Sequence, residues 1–429
     1  MIKLLHLSDI HMGSGFSHGR LNPETGLNTR LEDFQVALAH CIDRAIAEPV
    51  DLVLFGGDAF PDATPPPLVQ QAFAGEFRRL ADAGIPAVLL VGNHDQHAQG
   101  QGGASLCIYR TLGVPGMVVG DRLETHHIET RQGPVQVVTL PWLTRSALMT
   151  RPETEGMSMA EVNQTLVDRL RIALEGEVRQ LDPQLPTVLL AHVMTDTATY
   201  GAERFLAAGR GFNVPMALLA RPCFDYVALG HVHRHQILCE DPLTIYPGSI
   251  ERVDFSEEQE EKGYVLVQLQ RGKAKATFCP LPVRMFRTLR VDVSTCEDPE
   301  ATLLSAIATT PIEDAVVRLI YQLRPDQMGN ISSQALEAAL SQAHTYTIQP
   351  EVSSQHVRAR VPELGTDNSI DPVAALQSYL ATRNDLADMA DTLVEAAQTL
   401  LQEPTGNYTL EAPADSPGED EDSQQLRLL

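Results

Sequence analysis

None of the six cysteines in this 429-residue chain (Cys41, Cys107, Cys223, Cys239, Cys279 and Cys296) falls in a Cys-x-x-Cys pair. That argues against zinc ribbons, dithiol redox motifs and a disulfide framework. The thiols read as reduced, mostly buried small apolar side chains. No apolar run approaches the roughly 20 residues of a membrane helix, and Met1 leads directly into the strand-like segment 2–7 without signal-peptide architecture. The cytoplasm is the expected compartment, with no membrane partner. The Gly-x-x-x-x-Gly-Lys-Ser/Thr loop that cradles nucleotide phosphates is missing too, so any ATP chemistry is expected to reside in a separate subunit. Positive charge is scarce: the net charge is -24, with 26 basic and 33 acidic side chains in residues 1–290 but 6 and 23 in residues 291–429. Phosphate affinity comes largely from Lys and Arg that displace counterions. The acidic second half is therefore not expected to grip nucleic acid. Such a grip must come from arginines of the first half, such as Arg20, Arg30, Arg145, Arg204 and Arg210, or from a partner.

What is present reads as a soluble α/β protein. With 43% hydrophobic and 21% charged residues, and more length than one compact core usually spans, two or three domains are expected. The apolar segment 2–7 is followed by a helix from about Leu31 to Glu48, with Phe34, Leu38, Ile42 and Ile46 at steps of four. Segment 50–55 is a second strand. An amphipathic helix carrying Val69, Phe73, Phe77 and Leu80 leads to a third strand, 85–91, and a short helix is expected near 104–112. This strand, helix, strand repetition implies a largely parallel sheet with helices on its faces. Further strands are expected at 135–141, 186–191, 224–229 and from 244, with a hairpin at 263–270 and 275–281. Ser158 and Glu161 form a capping-box signature for a helix reaching about Gln180.

The chemistry sits where these strands end. The first runs into Asp9 and His11, the second into Gly56-Gly57-Asp58, and the third into Gly92-Asn93-His94-Asp95; later strands stop at His192 and at Gly230-His231-Val232-His233. Taken singly, Asn-His-Asp after a strand is more often an ordinary turn, and a lone buried histidine more often a hydrogen-bonded core residue than a ligand. Four imidazoles, two carboxylates and an amide at one edge of a sheet are a metal-ligand inventory. Seven ligands suit two ions sharing a carboxylate, an arrangement that lowers the pKa of a bridging water and clamps both oxygens of a phosphate ester under attack. Nitrogen and oxygen donors without thiolate point to Mn, Fe or Zn rather than Mg or Ca. Phosphoester hydrolysis with two divalent ions, of Mn, Fe or Zn, is the expected chemistry. The remaining histidines, among them His6, His18, His126, His235 and His344, lack this placement and read as structural or surface residues.

The succession Asp-x-His, Gly-Gly-Asp, Gly-Asn-His-Asp, strand-end His and Gly-His-x-His resembles that of the calcineurin-like metallophosphoesterases over roughly the first 280 residues. Within that superfamily, Thr25-Gly26-Leu27-Asn28-Thr29-Arg30 and Tyr246-Pro247-Gly248-Ser249 with Arg252-Val253-Asp254-Phe255 resemble the SbcD family of bacterial nuclease subunits. The resemblance implies an α/β sandwich of mixed β-sheets flanked by helices (1–285), then a small α/β cap domain for DNA selection (286–365) and C-terminal helices. It implies that Asp9, His11 and His233 hold one metal, that Asn93, His192 and His231 hold the other, and that Asp58 bridges them. His94 would face the scissile phosphate as the catalytic acid or charge stabiliser, with Asp95 orienting it. Some relatives carry a further histidine three residues after the bridging Asp; here that position is Pro61.

The second half alternates strand 286–293, helix 300–308, strand 315–323, helix 333–342 and strand 345–352. After a linker at 366–371, segment 385–402 places Leu386, Met389, Leu393, Ala396 and Leu400 on one helical face. Packing within the chain and docking onto a partner use the same spacing; the resemblance favours an SbcC-type ATPase. Residues 403–429 read as an acidic disordered tail. The implied activity is metal-dependent DNA cleavage at double-strand ends and hairpins, by a homodimer within a heterotetramer, with helices 68–80 and 104–112 as candidate dimer contacts. A small-molecule phosphodiesterase with the same metals and a non-enzymatic DNA-end tether are the alternatives.

Overall fold

β1 (Ile2–Leu7) is buried on both faces because its alternate side chains enter two different cores. Leu5 and Leu7 pack with Phe34, Leu38 and Ile42 of helix α1 (Thr29–Ala47) and with Phe73 and Phe77 of α2 (Pro67–Asp82). Ile2 and Leu4 face the opposite way. They join Leu52, Leu54, Val88 and Leu90 against Val137, Val188, Leu190, Tyr226 and Ala228 of a second sheet. Such strands read as continuous apolar runs rather than alternating ones. The computed structural model describes residues 1–97, 103–144, 156–201, 212–352, 372–381 and 389–402.

The first sheet also holds β2 (Leu52–Phe55), β3 (Ala87–Leu90) and β4 (Met117–Gly120); the short helix α3 is Cys107–Leu112. The second is built from β5 (Glu124–Thr130), β6 (Gly133–Leu140), β7 (Thr187–His192), β10 (Tyr226–Gly230), β11 (Gln236–Glu240) and β12 (Leu243–Tyr246). Between β7 and β10 lie the short pair β8 (Met194–Thr195) and β9 (Asn213–Val214). Strands β13 (Gly263–Gln270) and β14 (Lys273–Pro280) return as a hairpin to the first sheet, whose order is β14-β13-β1-β2-β3-β4; the order in the second is β11-β12-β10-β7-β6-β5. Helix α4 (Met159–Val178) covers the outer face of the second sheet with Val162, Leu166, Leu170 and Leu174, and a four-residue helix, α5 (Met216–Leu219), follows β9. The Ser158–Glu161 capping box at the start of α4 is formed in both directions. The result is helix, sheet, sheet, helix: a sandwich of two mixed sheets rather than one parallel sheet. β1, β2 and β3 run parallel, as do β6, β7 and β10, so their carboxyl ends come to one edge.

β5 escapes a reading of sequence because Ile128 is its one buried side chain and His126, His127, two glutamates and two threonines fill the rest. Val69, Phe73, Phe77 and Leu80 of α2 are core, while Leu68, Ile108 and Leu112 are exposed on α2 and α3. No helix among the described residues is long and apolar enough to cross a membrane.

A third, wholly parallel sheet of β15 (Phe286–Asp292), β16 (Val316–Leu323) and β17 (Thr345–Val352) carries α6 (Pro299–Thr309) and α7 (Ser333–Ala339) on one face around its own core. It forms one compact unit, Met1–Ser353, with the two-sheet body. Arg284 joins them by bonding both Asp33 oxygens at 2.8 and 2.7 Å, His344 meets Thr29 Oγ1 at 2.7 Å, and Arg318 stacks over Phe255. In the second unit the described residues are two helices in mutual contact, α8 (Pro372–Ala381) and α9 (Ala390–Gln402). Met389 and Leu393 are exposed there. The expected linker 366–371, Leu386 and the tail 403–429 lie outside the described residues, as do Arg145, Arg204 and Arg210.

Candidate metal centre

All seven expected ligands, and His94, are gathered at the shared carboxyl edge of the two sheets. Asp9 and His11 follow β1, Asp58 follows β2, and Asn93 and His94 follow β3. His192 is the last residue of β7, and His231 and His233 follow β10. Asp9, His11, Asp58, His192, His231 and His233 are buried. The turns that aim them are strained: Asp9, His11, Asp58 and His231 have φ of 52°, 47°, 58° and 105°, and Asp314 is the one other non-glycine with positive φ among the described residues. Each such conformation costs on the order of 1–3 kcal/mol and persists where its surroundings enforce it.

The enforcement is visible in hydrogen bonds that cross between strands. Asp9 N–H donates to Gly57 O and His11 N–H to Asp58 O, both at 3.0 Å, while His231 N–H donates to both Asp9 oxygens at 3.0 Å. The sheets meet here through glycine. A Cβ on Gly230 would lie 2.1 Å from Gly56 O, and one on Gly92 would lie 2.1 Å from Asp58 Oδ1.

Two donor groups result. Asp9, His11 and His233 form one, with His11 Nε2 and His233 Nε2 3.0 Å apart. Asp58, His192 and His231 form the other, joined by Asn93 Oδ1 at 2.9 Å from both His192 Nε2 and His231 Nδ1. Asp58 Oδ2 lies between the groups, 3.6 Å from His11 Nε2 and 3.3 Å from His192 Nε2.

The donor chemistry fits cations. His192 Nδ1 sits 2.7 Å from Gly56 O. A carbonyl only accepts, so Nδ1 carries a hydrogen, and Nε2 faces Asn93 Oδ1 and Asp58 Oδ2, which are acceptors as well, so that a proton or a cation has to lie between them. His233 behaves alike, donating from Nδ1 to Glu257 Oε1 at 2.6 Å and leaving Nε2 toward His11. Burial holds His11 and His231 well below the usual imidazole range, so both are neutral and able to ligate. Burial opposes a charged His192 as well, yet the Asp58 carboxylate pushes it up to about 9. The field that would retain a proton there is the field that retains a metal ion.

His94 stands at the same place without belonging to either group. It lies with His11 and Asp58 in a third cluster, its ring edge-on to His11 at 4.9 Å, and it is partly exposed. Its Nδ1 donates to Pro61 O at 2.7 Å. The position where some relatives carry histidine therefore supplies the carbonyl that orients His94. Asp95 does not do this. Its Oδ2 accepts from the N–H groups of Asp58 and Gly92 at 2.9 Å, and its Oδ1 from Ala59 N–H at 3.0 Å, tying the ends of β2 and β3 together. Orientation falls to Pro61 because the Asp95 carboxylate is already used by three backbone donors.

Arg30 also departs from expectation. It is fully buried, pairs with Asp33, and donates to Arg252 O at 2.5 Å, so it links the Asn28-Thr29-Arg30 and Arg252–Phe255 segments instead of facing a phosphate. Arg20 is exposed. Three further residues stand at the centre. Glu257 and Lys262 lie in the charged run Ser256-Glu-Glu-Gln-Glu-Glu-Lys262, which reads as a solvated loop, and nothing in its pattern marks them. Trp142 stacks on His231 at 4.9 Å and meets His192 edge-on at 6.0 Å. It was traceable, since it follows Leu140-Pro141 at another strand end.

Among solved structures, similarity is found to protein TT1561 of Thermus thermophilus (17% identity, covering 65% of this chain and 98% of that one, TM-score 0.36). A dimetal phosphatase from Danio rerio is similar at 11% identity over 65% and 98% of the two chains, TM-score 0.37. The purple acid phosphatase PPD1 of yellow lupin is similar at 12% identity over 65% of this chain and 51% of its own, TM-score 0.37. The profile of the calcineurin-like phosphoesterase family matches residues 2–235, which is more than half of the 429. On that match, which takes in every residue of the clustered His and Asp donor set, the chain belongs to the calcineurin-like phosphoesterase family and is a phosphoester hydrolase.

Proposed function

We propose that this hydrolase is a DNA nuclease subunit of the SbcD type, cutting phosphodiesters at double-strand ends and hairpins together with an SbcC-type ATPase. The observation that carries the chemistry is the pair of donor groups flanking Asp58 with His94 beside them. Asp9, His11 and His233 would hold one ion, Asn93, His192 and His231 the other, and Asp58 both. Two divalent ions, Mn2+ foremost, supply there a lowered pKa for water and neutralisation of the phosphate charge. The protein's own part is to fix the donors and to supply a proton. His94, held through Nδ1 by Pro61 O, has Nε2 left for the substrate, from which it would pass a proton to the departing oxygen.

The choice of DNA is supported by the two SbcD-like segments, which meet through the Arg30 to Arg252 hydrogen bond, and by the α/β unit 286–352 beside them. In this reading residues 1–285 are the nuclease, 286–365 the cap that selects DNA, and 366–402 the segment that docks the ATPase. A homodimer within a heterotetramer, acting in DNA repair, recombination and replication, belongs to the same reading. The partner would supply the cationic grip that a chain of net charge -24 lacks.

The test is cleavage of end-labelled linear duplex and hairpin DNA with Mn2+, with and without an SbcC-type ATPase and ATP, against His94→Ala. Partner-stimulated cutting abolished by the substitution supports the nuclease. Intact DNA alongside turnover of bis-p-nitrophenyl phosphate would move the substrate to small phosphodiesters. DNA binding indifferent to His94, with no cleavage under any metal, would leave a tether.

A further inference from the structure

The charged run 256–262 delivers two buried groups to one metal-binding histidine. Glu257 and Lys262 are 4% and 1% exposed. Glu257 Oε1 accepts from His233 Nδ1 at 2.6 Å, and its Oε2 lies 2.7 Å from Lys262 Nζ. Lys262 Nζ in turn donates to the backbone carbonyl of His233 at 3.1 Å and to Glu260 Oε2 at 2.7 Å. His233 is thus gripped at both ends, ring and main chain, by a pair of opposite charges. The same turn is held from its far side: Phe255 packs on Phe286 at 4.9 Å and under the Arg318 guanidinium at 4.2 Å.

An ion pair is costly to bury and is weak evidence of stability by itself. Its geometry here is specific to a ligand. A carboxylate on Nδ1–H fixes both the tautomer and the ring orientation that present the Nε2 lone pair, and loss of such partners weakens metal binding by about 10–100-fold. In the other donor group no carboxylate stands in that place; His192 Nδ1 donates instead to the Gly56 backbone carbonyl at 2.7 Å. His231 Nε2 is buried without a hydrogen-bond partner, and its ring is fixed by stacking on Trp142.

We propose that Glu257, neutralised by Lys262, is a positioning residue for His233, so that the two metal positions are held by unlike means and can be weakened one at a time. The inference rests on the two-metal reading above. Glu257 selectively secures the ion at Asp9, His11 and His233, and the His192, His231 and Asn93 position does not depend on it.

The experiment is titration of metal-free full-length protein with Mn2+. Electron paramagnetic resonance distinguishes coupled pairs from isolated ions, calorimetry gives both affinities, and the fluorescence of Trp142, the one tryptophan of the chain, reports the second position. In Glu257→Gln one affinity is expected to fall about 10–100-fold, with isolated Mn2+ signals where the parent shows coupled pairs and an unchanged Trp142 response. Should that variant fail to fold, Glu257→Gln/Lys262→Met removes both charges, keeps a carbonyl for His233, and should weaken the same single position. Parent-like pairing in the folded variant, or equal weakening of both positions in step with lost thermal stability, overturns the proposal. A parent chain binding fewer than two Mn2+ would instead overturn the two-metal reading.

Discussion

Replacing Asp95 with alanine separates two roles that its place beside His94 invites one to merge. The carboxylate touches no atom of the His94 ring; it accepts from the backbone N–H groups of Asp58, Ala59 and Gly92 at 2.9, 3.0 and 2.9 Å. Hydrogen bonds to a charged group contribute about 1.5–3 kcal/mol each, a gross ~4.5–9 kcal/mol, against which stands the cost of holding a carboxylate that burial and the neighbouring Asp58 push up to about 7. Removing one partner of a buried charged network typically costs about 3–5 kcal/mol. At about 2 °C per kcal/mol for a body of this size, the melting temperature should fall by about 6–10 °C in EDTA. Asp95→Asn can keep two of the three bonds, at the oxygen facing Asp58 and Gly92, and should lose roughly half as much. Differential scanning fluorimetry reads the stability. Turnover of bis-p-nitrophenyl phosphate at a series of Mn2+ concentrations reads the site, which should need more metal for the same rate. A shift under 1 °C for Asp95→Ala, or a full loss of turnover at saturating Mn2+ with parent-like stability, would refute the reasoning and return Asp95 to His94.

Three further outcomes are expected. His94→Ala should lower turnover by about 10²–10⁴-fold while the chain still binds two metal equivalents by plasma emission analysis. Gly230→Ala places a Cβ 2.1 Å from Gly56 O and 2.3 Å from Ser8 Oγ; both sheet ends must part, so lost metal binding and a lower melting temperature should appear together, unlike in His94→Ala. Burial would raise the pKa of Glu257, but Lys262 and His233 hold it far below its ordinary 4.5. Its contribution to stability is therefore complete above about pH 4.5 and is lost as pH falls toward the depressed value. Urea titrations in EDTA should show the parent losing more stability between pH 6 and pH 3 than Glu257→Gln/Lys262→Met.

The donor set was legible because its signal is local and chemical: an apolar strand that stops at Asp, His or Asn names its own tip. Ligands from β1, β2, β3, β7 and β10 could be gathered on paper since parallel strands share a carboxyl edge. That two sheets supply them, three strands from one and two from the other, was not legible, because strand patterns do not say which sheet a strand enters. Roles that depend on distant backbone stayed hidden too. Asp95 is adjacent to His94 in sequence yet serves β2, and Arg30 looks like a surface charge until Arg252, 222 residues on, supplies its acceptor. β5 was missed because an edge strand needs little burial, and the central strands were easily seen for the opposite reason.

Four of the residues that would hold metal lie in left-handed backbone, a conformation chosen against the preference of their own side chains. In the metal-free chain the conformational cost remains while its return is absent. Glycine at Asp9 or Asp58 would abolish catalysis and yet should leave the metal-free protein more heat-resistant than alanine at the same position, reversing the usual order of the two residues.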